Sequence, residues 1–86
     1  MPKTKGTYLA HRNREIPNAR RGTSYKACQV SFIPSTDPDG FPAVMNVDAG
    51  VFAALDKLQA GQQIELMWIE TPPYGDNLAV AVEAAV

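Results

Sequence analysis

Apolar residues recur with two different spacings along this 86-residue chain, and the change between them most constrains its fold. In residues 25–33, Cys28, Val30 and Phe32 alternate with polar or small side chains, the period of two expected of a half-buried strand. Residues 48–60 instead carry apolar side chains at helical spacing. The helical positions are Val51, Phe52, Leu55 and Leu58. One helix is therefore predicted in a chain that otherwise favours strands.

Turn-forming residues divide the rest of the chain into further strands. Residues 13–23 and 34–40 are rich in Pro, Gly, Asn and Asp, so we expect loops there. Asp48 is suited to cap the helix N-terminus, and Gly61 to follow its C-terminus in the left-handed conformation. The five predicted strands span residues 7–12, 25–33, 41–47, 63–70 and 77–86.

The predicted element order is three strands, one helix and two strands. This is the order of the OB-fold, a mainly β, five-stranded Greek-key barrel with a helix between its third and fourth strands. A three-stranded meander followed by an unrelated hairpin is the alternative that the same pattern allows. We predict a single OB-like domain over residues 1–86, in which residues 1–6 form a flexible basic N-terminus.

Composition limits the compartment in which the protein acts. Cys28 is the only cysteine, so it cannot form an intrachain disulfide, which is typical of a reducing environment. No apolar stretch approaches the roughly 20 residues of a membrane helix, and the N-terminus lacks the apolar segment of a signal peptide. We therefore expect a cytoplasmic protein that makes no membrane contact.

Charge is strongly segregated along the chain. Seven of the eight Lys and Arg residues lie in the first 26 positions beside a single acid, Glu15, so this stretch carries a net charge of +6. The rest of the chain holds only Lys57 against eight carboxylates, a net charge of −7. Such asymmetry is typical of a surface that meets a polyanion. An ordinary soluble domain with a solvated basic N-terminus is the alternative.

The sequence contains no pattern that points to catalysis or to a cofactor. His11 and Cys28 would be the only Cys–His pair, and Cys28 lies on the apolar side of its strand, where a free cysteine acts as a small core residue. Glycine-rich phosphate loops and metal-ligand spacings are missing from the sequence. We therefore predict a non-enzymatic protein that requires neither a cofactor nor a metal.

Cations and aromatic residues coincide in the sequence where an OB-fold binds its ligand. Binding of a single strand combines cations that follow phosphates with aromatic faces on which bases stack. In an OB-fold these groups lie on strands two and three and on the loops joining strands one to two and four to five. The predicted nucleic-acid-binding residues are Tyr8, Arg12, Arg14, Arg20, Arg21, Tyr25, Lys26 and Tyr74.

Each aromatic residue also has a structural interpretation. Tyr25 can cap the edge of the barrel, and Tyr74 can pack against the prolines of its turn. Trp68 and Phe32 stand among aliphatic residues and are expected in the core. Phe41, at the start of the predicted third strand, can take either role.

Two segments resemble known OB-fold proteins. Residues 20–30, with the sequence RRGTSYKACQV, resemble the start of strand two in small phage single-stranded-DNA-binding proteins, where a basic, glycine-containing hairpin leads to an aromatic residue and a Gln-containing strand. Residues 58–66, LQAGQQIEL, resemble the helix-to-strand entry of OB-folds. The resemblance implies a dimeric, non-enzymatic coat of replication intermediates in an infected bacterial host. The predicted helix and the many acids depart from the filamentous-phage members and favour a more general OB-type binder.

We therefore predict binding of single-stranded nucleic acid, with DNA favoured over RNA, by a homodimer. Residues 77–86 are small and apolar on both faces and are the predicted dimer interface. The alternative function is a protein-interaction or accessory module whose basic N-terminal third docks an acidic partner. Its binding would be dominated by charge and would not depend on Tyr25 or Tyr74.

Overall fold

The computed structural model describes residues 2–18, 20–71 and 76–85, and of Tyr25 and Asp76 it describes only the backbone. Within these residues the chain forms five strands and one short helix in the predicted order. The elements are β1 (Lys3–Asn18), β2 (Thr23–Pro34), β3 (Ala43–Val47), α1 (Ala49–Leu55), β4 (Gln63–Thr71) and β5 (Asp76–Ala84). The described helix is too short to span a membrane.

The five strands close into a ring. β1 pairs with both β2 and β4, β2 pairs with β3, and β4 pairs with β5, each in antiparallel orientation. A short parallel pairing between β3 and β5, at Asn46 opposite Leu78 and Val47 opposite Ala79, completes the ring. The order of neighbours around it is β1-β2-β3-β5-β4. Inside such a ring each strand has a partner on both sides, so backbone groups are satisfied without a free edge.

Gly6 marks the position where β1 takes part in two ladders at once. It lies opposite Pro34 of β2 and opposite Ile64 of β4. A Cβ atom at this position would stand 2.6 Å from the carbonyl oxygen of Ile33 and 2.9 Å from the ring of Phe32. The close approach of the backbones therefore requires glycine.

Two predicted irregular segments are strands in the structure. The prediction of a flexible tail over residues 1–6 is wrong for residues 3–6, which pair with β4 from Met67 to Ile64. The prediction of a loop over residues 13–23 is also wrong, because residues 13–18 pair with residues 23–28. In both cases hydrogen bonding to a neighbouring strand outweighs the weak strand preference of the local sequence.

β1 and β2 extend beyond the ring as a two-stranded arm. We define the arm as residues 13–18 and 23–28 with the turn at residues 20–22, since β4 and β3 pair only with earlier or later parts of these strands. Gly22 has a φ of 63° in the turn, a left-handed conformation that glycine adopts without strain. The arm gives the molecule its elongated shape, with principal extents of 44 × 25 × 25 Å.

The ring encloses an apolar core to which α1 contributes. The buried residues are Tyr8, Val30, Phe32, Met45, Val47, Leu55, Ile64, Leu66 and Ala79. Asp48 caps α1 as predicted, with its Oδ1 accepting a hydrogen bond from the N–H of Gly50 at 2.8 Å. The helix ends at Leu55, well short of the predicted residue 60. Gly61, with a φ of 92°, instead forms a later turn whose N–H donates to the carbonyl of Tyr8 at 2.8 Å.

Substitution of Gly6 tests the ring closure. We expect Gly6→Ala to lower the free energy of unfolding by about 2 kcal/mol or more, because the added methyl group meets a backbone carbonyl that cannot move without breaking a ladder. Urea denaturation followed by circular dichroism measures this change. Lys5→Ala, one residue away and exposed, is the control and should change stability by less than about 0.5 kcal/mol. Equal stabilities of the two variants would contradict the assignment of Gly6 as the crossing point.

Candidate functional site

Three polar side chains form a row across β1, β2 and β3 on the outside of the ring. Arg12 Nε donates to Gln29 Oε1 at 3.0 Å, and Gln29 Nε2 donates to Asn46 Oδ1 at 3.5 Å. The register explains the row, because Gln29 lies opposite Arg12 on one side and opposite Asn46 on the other. We call the outward side of these three strands the outer face. The hydrogen bond to Gln29 holds the guanidinium of Arg12 on this face.

A concavity of about 270 Å³ opens on the outer face beside this row. Its lining includes the apolar side chains of Ala10 and Val44 together with Arg12, Gln29 and Ser31. Val44 is 59% exposed, which is high for a β-branched residue in a strand. The outer face thus combines apolar surface with a fixed cation, an arrangement suited to a flat, anionic ligand.

Phe41 is an exposed aromatic residue in the segment that leads into β3. It precedes β3 by two residues and is 67% exposed. The other described aromatic side chains are less accessible. Tyr8 and Phe32 are buried, and Phe52 and Trp68 are half-buried. A ring exposed in this way is available for stacking.

The arm carries cations that remain unneutralised. Arg14, Arg20, Arg21 and Lys26 are exposed, and Arg14 follows Arg12 by two residues on the same side of β1. Among the described residues the ion pairs are Lys3–Glu65 and His11–Asp56, so none involves the arm. Glu15, the acid of the arm, accepts a hydrogen bond from the hydroxyl of Ser24 instead. The arm therefore presents a cationic surface that continues from Arg12 to the turn.

Five of the eight predicted binding residues are exposed on the arm or directly before it. They are Arg12, Arg14, Arg20, Arg21 and Lys26. Arg12 and Arg14 share one side of the hairpin, whereas Lys26 lies opposite Glu15 and therefore on its other side. Tyr25 lies in β2 opposite Ile16, and its side chain is outside the described part of the structure, as is the whole of Tyr74. Phe41 is the aromatic residue whose role the sequence left open. Only its exposure, which depends on the tertiary structure, distinguishes it from a core residue.

The prediction that Tyr8 offers its ring to a ligand is wrong. Tyr8 lies opposite Phe32, and both side chains enter the core, where Tyr8 is only 4% exposed. A β-bulge between Tyr8 and Ala10 then shifts the register at the point where β1 leaves the ring. The inward position of Tyr8 depends on this pairing, which the local sequence does not reveal.

A chain of hydrogen bonds joins Tyr8 to the end of α1 through His11. The hydroxyl of Tyr8 contacts Nδ1 of His11, and Nε2 of His11 lies 2.7 Å from Oδ1 of Asp56. When Tyr8 donates to Nδ1, the proton of a neutral imidazole resides on Nε2 and is donated to Asp56. The ring of Phe52 meets His11 edge-on at a centroid distance of 5.1 Å. His11 thus fixes the base of the arm against the helix.

Burial raises the pKa of Tyr8 above its ordinary value, and the negative charge of Asp56 adds to this effect. The folded protein therefore retains the Tyr8 proton at a pH where the unfolded chain has lost it. Stability from this residue is complete below a pH of about 10 and is lost as the pH rises toward the folded pKa.

The remaining reactive side chains have structural partners. Cys28 donates its thiol hydrogen to Oδ1 of Asn13 at 2.9 Å. Trp68 donates from Nε1 to the hydroxyl of Thr4 at 2.9 Å and packs against the core. In the described part of the chain, no three His, Cys, Asp or Glu residues lie close enough together to hold a metal ion.

Comparison of the chain with protein-family models, with curated proteins and with solved structures finds no match. Function must therefore be inferred from the chemistry of the outer face and the arm. The two surfaces meet at Arg12, which ends the row on the outer face and directly precedes the first residue of the arm.

Replacement of Tyr8 by phenylalanine tests the buried hydrogen-bond chain. We expect Tyr8→Phe to lower the free energy of unfolding at pH 7 by about 1 kcal/mol, because Nδ1 of His11 loses its partner. The difference from the wild-type protein should shrink above a pH of about 10, since only the wild-type protein then loses stability through ionisation of this tyrosine. Urea denaturation between pH 7 and pH 11 measures both effects. A constant difference over this range would contradict them.

Proposed function

We propose that the chain is a non-enzymatic OB-fold protein that binds single-stranded nucleic acid across the outer face and along the arm. The closed strand order β1-β2-β3-β5-β4 and the helix between β3 and β4 support the OB-fold assignment. The surface of strands two and three and the connection between strands one and two are where such folds bind oligonucleotides. In this chain that connection is the basic arm.

The observation on which the proposal depends is that exposed cations on the arm lead to exposed apolar surface on the outer face. Arg14 and Arg12 follow each other on one side of β1, and Val44 lines the concavity beside Arg12. The exposed ring of Phe41 lies two residues before β3. Phosphates of a strand that follows this path meet the cations of the arm, and its bases meet the outer face. This pairing of charge with stacking is typical of proteins that bind single strands.

The expected contributions of phosphate contacts and base stacking indicate how strongly such a surface would bind. If four or five cations contact phosphates, log K falls with log salt at a slope of roughly −3, taking about −0.7 per contact for single strands. Each stacked base contributes about 1–3 kcal/mol. The preference for DNA rests on the resemblance of residues 20–30 to phage single-stranded-DNA-binding proteins.

The homodimer through the C-terminal strand stays a prediction. β5 pairs with β4 and β3 inside the ring, and Ala79 belongs to the core. A dimer through this strand would therefore use its outward side chains rather than a free edge. Two linked sites would raise the affinity for one long strand through effective concentration.

Removal of one arm cation tests whether the arm contacts phosphate. We expect Arg14→Ala to weaken binding and to reduce the steepness of the salt slope by about 0.7. Fluorescence anisotropy of a labelled oligo-dT of about 20 nucleotides, titrated at several salt concentrations, measures both quantities. Lys3→Ala removes the same charge where Glu65 lies 3.9 Å away, so its slope should equal that of the wild-type protein. Absence of binding by the wild-type protein at low salt would refute the proposed function.

Removal of the exposed aromatic ring tests the stacking surface. Phe41→Ala should weaken binding of the same oligonucleotide by about 1–3 kcal/mol and leave the salt slope unchanged, because a stacking surface is lost without a charge. Ile69→Ala, which removes an exposed apolar side chain from β4, is the control and should bind like the wild-type protein. If Phe41→Ala binds normally, charge alone carries the interaction, and an acidic protein partner becomes the better assignment.

A further inference from the structure

The polar groups around the outer-face concavity are almost all committed to partners. Both ring nitrogens of His11 are occupied, by Tyr8 and by Asp56. Gln29 directs its amide oxygen to Arg12 and its amide nitrogen to Asn46. These commitments determine what the concavity can offer to a ligand.

What remains for a ligand is dominated by hydrogen-bond donors. Arg12 uses its Nε–H on Gln29, which leaves the four N–H groups of its two Nη atoms. Ser31 also lines the concavity, and its hydroxyl can donate or accept, so it does not discriminate between ligand groups. A guanidinium has no acceptor at all. The concavity therefore favours a ligand that presents an acceptor to Arg12.

The size of the concavity favours a single base. Its volume of about 270 Å³ leaves room for one flat heterocycle, and its lining includes the apolar side chains of Ala10 and Val44. Bases differ most clearly at one exocyclic position, where guanine and the thymine or uracil ring carry a keto oxygen and adenine and cytosine carry an amino group. A keto oxygen accepts a hydrogen bond from the guanidinium of Arg12. An amino group at the same position would bring its own N–H donors against those of the guanidinium, and no hydrogen bond would form there.

We propose that the row Arg12–Gln29–Asn46 makes this concavity a subsite for one keto base, so that the chain prefers guanine and thymine or uracil over adenine and cytosine. This inference rests on the proposed function and adds a base preference to it. Arg12 contacts the base, whereas Gln29 and Asn46 are positioning residues that act through Arg12. Asn46 holds the amide nitrogen of Gln29 and thereby keeps the amide oxygen turned toward Arg12.

Matched oligonucleotides compare the two kinds of base edge. Oligo-dU and oligo-dC of about 12 nucleotides have the same ring size and carry no methyl group, so a difference in affinity reports the edge that carries the keto or amino substituent and the adjacent ring nitrogen, a donor in uracil and an acceptor in cytosine. Oligo-dC with one central deoxyinosine, compared with one central deoxyadenosine, makes the same comparison for a purine. We expect the keto member of each pair to bind about five- to tenfold more tightly, the effect of one good hydrogen bond. Anisotropy titrations at pH 8 measure the four dissociation constants.

Variants of the row separate recognition from charge. Arg12→Gln should abolish the keto preference and leave the salt slope nearly unchanged, because an amide offers a donor and an acceptor equally and Arg12 contacts the base rather than a phosphate. Arg14→Gln is the matched control, since it removes the same charge from the neighbouring outward position; it should reduce the steepness of the salt slope by about 0.7 and retain the preference. Asn46→Leu should reduce the preference with no change in slope, a result that a lost charge cannot produce.

The outcomes distinguish the inference from the function on which it rests. Equal affinity of wild-type protein for dU and dC overturns the keto subsite while leaving single-strand binding established. A loss of preference in Arg14→Gln equal to that in Arg12→Gln overturns the role of the row. Failure of the wild-type protein to bind any of the oligonucleotides at low salt overturns the proposed function itself, and the subsite with it.

Discussion

The rest of the structure depends on the crossing of three strands at Gly6. Only a residue without a side chain lets β1 approach the carbonyl of Ile33 while pairing with Ile64 of β4. This approach closes the ring with the first five residues of β1 and frees the second half of the same strand from β4. The arm is therefore a consequence of the closure, because a strand of 16 residues is longer than the ring can use.

The site is connected to the core through the residues that immediately precede Arg12. Tyr8 is buried beside Phe32, and its hydroxyl holds His11, which in turn binds Asp56 at the end of α1. The bulge between Tyr8 and Ala10 redirects β1 at this point. Arg12 is thus positioned from two directions, by a chain anchored in the core on one side and by Gln29 on the other. A cation fixed in this way loses little conformational entropy when a ligand binds.

Local sequence signals predicted the order of strands and helix, but they predicted only part of the candidate binding surface. The alternation in residues 25–33 and the cap at Asp48 depend on nearest neighbours, so the strand and the helix start were predictable. The strand over residues 13–18 was not, since its polar residues are ordered by pairing with β2. Its charge alone identified Arg12 as a candidate binding residue. The hydrogen-bonded row that links Arg12 through Gln29 to Asn46 depends on the register of three strands, which the local sequence does not give. Tyr8, expected at the ligand face, is buried, and Phe41, whose role was left open, is exposed, because the burial of a single aromatic residue is decided by tertiary packing.

Under the proposed function, the arm and the outer face would divide the work of binding according to how firmly each is held. In the described part of the chain no third strand pairs with the two strands of the arm, and the arm's exposed cations would act through charge, which tolerates movement because Coulomb attraction falls slowly with distance. On the outer face, Gln29 and Asn46 lie where their strands are paired on both sides, so hydrogen bonds and stacking, which depend on exact geometry, are better suited to that surface. Salt would weaken the contribution of the arm and leave that of the outer face nearly unchanged. The proposed function therefore assigns capture of a strand to the arm and discrimination among bases to the outer face.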